Sequence, residues 1–103
     1  MSEQRIVNLL SMAQRAGRVA SGAFAVEEAV KKGKADFLMI AADAQQETKR
    51  KFEEFADRYD VPVAHLLTRD ALGACLGKEY RAVAALLDTG FAKRLQELLK
   101  EQG

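Results

Sequence analysis

Only one cysteine, one histidine and one proline occur among the 103 residues of this chain. The lone Cys75 rules out an internal disulfide, and no metal-ligand spacing is formed around it. The lone proline, Pro62, rules out a proline-rich linker, and no repeat or low-complexity block is present. Net charge is also nearly absent, at +1, so the chain is no polycation and any attraction for nucleic acid must come from local patches. No apolar run is long enough to span a bilayer. The opening MSEQRIVNLLSMAQRAG carries Glu3 and Arg5 within a helical pattern, which is not a secretory signal. A cytoplasmic protein without a membrane partner is the expectation. The glycines form no dinucleotide or phosphate-loop fingerprint: Gly73 and Gly77 lie four apart without the companion residues. Neither Ser21 nor Cys75 has a nucleophile–base pairing that the sequence supports. Catalysis, a cofactor and a small-molecule substrate are therefore not expected.

What is present is a folded-protein composition, 49% hydrophobic and 30% charged. A chain of this length predicts one domain with a real core. Ile6, Leu9, Leu10 and Ala13 recur at helical spacing, which predicts a helix from about Ser2 to Ala16, with Ser2 as cap and Gly17 as stop. Val19-Ala20 suits only a short edge strand. A second helix follows from about Gly22 to Lys32, with Phe24, Ala25, Ala29 and Val30 available to pack and Gly33 at its left-handed end.

Three apolar runs read as strands covered on both faces: 37–42 (FLMIAA), 63–67 (VAHLL) and 82–87 (AVAALL). Asp43 with Gln46 three residues on resembles a capping box for the helix carrying Phe52, Phe55, Ala56 and Tyr59. Asp43 also stands where α/β proteins often bind ligands, at the carboxyl end of a strand. Asp60-Val61-Pro62 breaks that helix. Thr68 is placed to cap a short helix through Ala71, Leu72, Cys75 and Leu76. Thr89-Gly90 opens a last helix whose Phe91, Leu95, Leu98 and Leu99 share a face. Strands alternating with helices predict a three-layer α-β-α sandwich around a mostly parallel sheet with right-handed crossovers. His65 reads as a core or edge histidine, and Cys75 as a small core residue.

Two stretches suggest a binding site. In VASGAFAVEEAVKKGK, 19–34, a Ser21-Gly22 turn precedes a helix whose first amides lack internal partners and can hold a phosphate. From Arg5 to Lys34 six basic residues face only Glu27 and Glu28. The plainer reading is an ordinary capped helix with solvated charges. In Gly77-Lys78-Glu79-Tyr80-Arg81 a tyrosine beside two cations can stack on a base or touch phosphate, or simply be a solvated loop. If both stretches lie on one edge of the sandwich, they make one surface.

The order of segments then resembles a known family. LLSMAQRAGRVASG at 9–22, AVKKGKADFLMIAADA at 29–44, DVPV at 60–63, LTRDALGACLGKEYRAVAALLD at 67–88 and GFAKRL at 90–95 are similar to the kink-turn-binding ribosomal-protein superfamily of L7Ae, most of all to its bacterial YlxQ-type branch. The resemblance implies an α-β-α sandwich with a four-stranded mixed sheet. It also implies binding of structured RNA by the second helix's N-terminus and the loop before the last strand. Carried over, the contacts fall on Ser21, Gly22, Ala23, Phe24, Lys32, Lys78, Tyr80 and Arg81, with Arg15 and Arg18 adding phosphate contacts. Where the superfamily often has an Asn-Glu pair reading sheared G·A pairs, this chain has Phe24 and Ala25, and a basic position falls on Glu28. Phenylalanine and alanine have no groups to bond base edges, so Phe24 is expected to stack. The partner implied is ribosomal or ribosome-associated RNA, and the role an accessory one in ribosome assembly or translation. A protein-interaction module of the same fold is the alternative.

Overall fold

The computed structural model describes residues 2–102, and side chains from 3 to 101. The elements run α1 (Ser2–Arg15), β1 (Val19–Ser21), α2 (Ala23–Lys31), β2 (Phe37–Ile40), α3 (Gln46–Tyr59), β3 (Val63–His65), α4 (Arg69–Cys75), β4 (Val83–Leu86) and α5 (Thr89–Gln102). The strands form one sheet in the order β1-β4-β2-β3. Helices α2 and α3 pack together on one side, and α1 packs with α4 and α5 on the other. The three-layer sandwich with a four-stranded mixed sheet is thus present.

The expectation of a mostly parallel sheet is corrected. Only β2 and β3 pair in parallel, while β4 pairs antiparallel with both β1 and β2. Antiparallel neighbours need no crossover between them, so alternation of helices and strands does not dictate direction. β2 and β4 are buried at every residue. β3 is not: Val63 and His65 are exposed at the sheet's edge, where His65 Nε2 lies 2.6 Å from Glu53 Oε2. Its run also ends two residues early, because Leu67 adopts φ 60. A left-handed leucine is strained, and burial of its side chain offsets that cost.

The helix stripes follow the 3.6-residue period. Ile6, Leu9, Leu10 and Ala13 are buried, as are Phe52, Phe55 and Ala56, and Leu95 with Leu98. Cys75 is half-buried against this core. On α2 the stripe is Val26, Ala29 and Val30, and Phe24 does not pack: it is 80% exposed. Two residues of helix rotation place it about 200° from Val26. The suggested Ser2 cap lies outside the described side chains.

Thr68 caps α4 as the sequence suggests, its Oγ1 accepting from Ala71 N at 3.1 Å. The capping box at Asp43 does not form. Helix α3 starts only at Gln46, with Gln45 as an N-cap making no side-chain bond. Asp43 Oδ1 instead accepts from Arg69 N at 2.8 Å and lies 3.6 Å from Arg69 Nε. It secures the first residue of α4. The turn over 41–44 sets Asp43 too far from α3 for a cap and brings it beside α4. Thr68→Ala should cost about 1 kcal/mol, the usual worth of such a cap. Urea unfolding at constant m-value checks this, and a loss within error of zero would show that Thr68 contributes nothing there.

Candidate nucleic-acid interface

Strand direction assembles the site. β1 ends at Ser21, which pairs with Ala84 near the start of β4. β2 ends at Ile40 opposite Val83, and β3 ends at His65 beside Ile40. One rim of the sheet therefore gathers the carboxyl ends of β1, β2 and β3 with the chain entering β4. In open α/β sheets that is where ligands tend to sit.

The two stretches singled out in the sequence meet on this rim. Gly22 N donates to Val83 O at 3.0 Å, and Gly22 O accepts from Val26 N at 3.0 Å, the first bond of α2. Gly22 holds φ 91 and ψ 156, a region nearly confined to glycine. No side chain caps α2, so the amides of its first turn face outward. Arg81 reaches across from the other stretch. Its Nε donates to Ser21 Oγ at 3.4 Å, its Nη1 donates to Tyr80 O at 2.8 Å, and a Cβ built on Gly22 would lie 3.8 Å from Nε. Exposed aromatic rings flank the rim, with Phe24 at 80% and Tyr80 at 57%. Lys78 is exposed in the same loop.

Three of the proposed contacts lie elsewhere. Arg18 is at the opposite end of β1, where its carbonyl accepts from Leu87 N. Three extended residues carry it about 10 Å from Ser21. Arg15 sits at the end of α1 that leads into that same far rim. Lys32 is the C-cap of α2, roughly 14 Å along the helix from Ala23. Lys32 also pairs with Glu28 at 3.6 Å. Its neighbour Lys31 is engaged with Glu27, and the Lys31 hydrogen bond, then that of Lys51, holds the Glu27 carboxyl below its usual range. An extended strand and a full helix thus set Arg15, Arg18, Lys31 and Lys32 at the far rim, away from Ser21 and Gly22.

The near rim has little net charge. Arg69, Lys78 and Arg81 stand among Asp43, Asp70 and Glu79, and the Asp43 carboxylate is committed to Arg69. Sequence reasoning missed Arg69, whose carbonyl accepts from Arg81 N at 3.0 Å. Its signal was available: it lies two residues past the carboxyl end of a predicted strand. Half-burial pushes the Cys75 thiol up, keeping it protonated and a poor nucleophile. Among the described residues no group of three or more His, Cys, Asp or Glu could hold a metal ion, and no helix is long and apolar enough to cross a membrane.

The same architecture is found in known proteins. A solved structure of a protein of unknown function from Bacillus halodurans C superposes with a TM-score of 0.87 at 32% identity, covering 91% of this chain and 95% of that one. The RNA-binding protein YlxQ of Bacillus subtilis (strain 168) is 35% identical over 99 residues, which cover 96% of this chain and 99% of that protein. The large ribosomal subunit protein eL8 of Haloquadratum walsbyi is 31% identical over 85 residues, covering 81% of this chain and 71% of that protein. These likenesses cover between 81% and 96% of the chain, and residues 4–96 match one family as a block, so that the chain belongs to the ribosomal protein L7Ae/L30e/S12e/Gadd45 family.

Proposed function

We propose that this protein is a non-catalytic binder of structured RNA, and that the rim formed by Ser21–Phe24 and Lys78–Arg81 is its binding surface. The observation that carries this reading is the meeting of an uncapped helix N-terminus at Gly22 with Arg81 and two exposed aromatic rings. The names of the YlxQ and eL8 relatives support RNA as the partner. The RNA is kink-turn-like or another fold with unstacked bases, carried by ribosomal RNA or an RNA met on the ribosome. The role is an accessory one in ribosome assembly or translation in the cytoplasm.

The chemistry divides into three parts. Amides of the first turn of α2 face a phosphate oxygen, an arrangement that suits anions. Arg81 adds a charge-assisted bond to the backbone. Phe24 and Tyr80 stack on bases, each worth about 1–3 kcal/mol. Stacking replaces the edge reading that an Asn-Glu pair would supply, so recognition rests on shape and on displaced bases. Arg15, Arg18 and Lys32 are not part of this surface.

Salt dependence follows from the charge count. With Arg81 and Lys78 as the two cations proposed to meet phosphates, affinity should fall about tenfold between roughly 50 and 200 mM salt. Arg81→Ala should weaken binding about tenfold or more and reduce that salt slope by about one. Fluorescence anisotropy with a labelled kink-turn stem and with ribosomal RNA fragments measures both. Absence of binding to every RNA at low salt, or an Arg81→Ala protein binding like the parent, would defeat the reading. A protein-docking module is the second reading, favoured by the exposed Phe24 and the balanced charge of the rim. It gains if RNA fails and a protein partner is lost on Phe24→Ala.

A further inference from the structure

Gly73 lies in the interior of α4, buried, where no turn calls for a glycine. A mid-helix glycine weakens a helix relative to alanine, so its presence needs another reason. The reason is Tyr80. A Cβ built on Gly73 would lie 2.3 Å from Tyr80 Cα and 2.7 Å from both Tyr80 N and Tyr80 C. Among the other described glycines, none has backbone within 4 Å of that position. The obstacle is main chain, which cannot swing aside as a long side chain can.

The loop is also hydrogen-bonded to α4 at both ends. Lys78 N donates to Gly73 O at 2.8 Å, and Arg81 N donates to Arg69 O at 3.0 Å. Arg69 is itself held by Asp43 through its amide at 2.8 Å. The backbone of Tyr80 thus lies flat against α4 between two bonds, and Arg81 is sent across to Ser21.

We infer that Gly73 is a positioning residue for the RNA surface: the missing side chain lets the 78–81 loop lie on α4, which aims Tyr80 and Arg81 at the Gly22 rim. The inference rests on the RNA reading above. It adds α4, which touches no RNA in that reading, as the platform that sets the loop's direction.

Gly73→Ala is the test, with Ala74→Gly as its counterpart. Ala74 is exposed, so that swap loosens α4 without touching Tyr80. In Gly73→Ala, amide exchange at Lys78 and Arg81 should quicken about tenfold or more while Leu38 and Ala85 in the sheet stay unchanged. Affinity for a fluorescein-labelled kink-turn stem should fall about tenfold or more, whereas Ala74→Gly should stay within about twofold of the parent. The inference is overturned if Gly73→Ala keeps the parent's affinity, or if Ala74→Gly loses as much. Parent protein that binds no RNA defeats the RNA reading separately, and the exchange data still judge the loop. If Gly73→Ala does not fold, the parent alone decides. Its Lys78 and Arg81 amides should exchange with those of Leu72 and Leu76, and free-peptide rates at the loop would overturn the inference.

Discussion

Leu38→Ala should lower the unfolding free energy by about 2–5 kcal/mol, the range for removing a buried leucine. Leu38 is fully buried in β2, a strand with a partner on each side. Its register neighbours are Ala85 on β4 and Val63 on β3. Alanine has no rotamer to swing into a void, and the sheet's ladder fixes the backbone around it. The cavity should therefore stay largely open, which puts the cost toward the upper part of the range. For a chain of this size that corresponds to a melting temperature lower by roughly 10–30 °C. Thermal and urea unfolding measure it directly. Leu86, equally buried in β4, should respond alike. Val63, 38% exposed at the sheet's edge, should lose under about 1 kcal/mol on change to alanine. A loss under about 1 kcal/mol at Leu38 would mean that β2 is not a two-sided core strand.

Gly22→Ala should damage binding more than folding. At φ 91 and ψ 156 an alanine is strained by about 1–3 kcal/mol. Space is not the obstacle, since the added Cβ would meet only Arg81 Nε at 3.8 Å. The backbone cannot rotate freely either, because Gly22 is bonded on both sides, to Val83 O and from Val26 N. Relief of the strain must turn the first amides of α2 away from the rim or break the end of β1. RNA affinity should drop about tenfold or more, a loss of about 1.4 kcal/mol at least. Gly17→Ala is the matched comparison. Gly17 also has a positive φ, of 73, with nothing within 4 Å of an added Cβ, but it lies at the far rim. It should lose stability without losing RNA affinity. Equal affinity losses at both glycines, or none at Gly22, would remove Gly22 from the proposed interface.

The helix stops at Gly17 and Gly33 were legible because these two left-handed positions are held by glycine, whereas the left-handed Asp60 and Leu67 carry no such mark. The Thr68 cap was legible because a cap and its amide lie three residues apart. The paired rim was legible only as a condition, since nothing within either stretch says that Ser21 faces Arg81 sixty residues on. Asp43 misled for the same reason. Its local neighbour Gln46 suggested a capping box, while its true partner, Arg69, is 26 residues away. A glycine inside a helical pattern, as at Gly73, costs stability relative to alanine and so points to a packing reason, but only the structure shows that the reason is the Tyr80 main chain.

What the chain determined by itself were its elements and their order, because periodicity, caps and glycine stops act over about four residues along the backbone. What the tertiary structure decided was which strands pair and in which direction. That choice brought Gly22 to Arg81, and sent Arg15, Arg18 and Lys32 to the opposite rim. Pairing is a contest among distant segments for buried area and hydrogen bonds, and no single stretch of sequence contains its outcome.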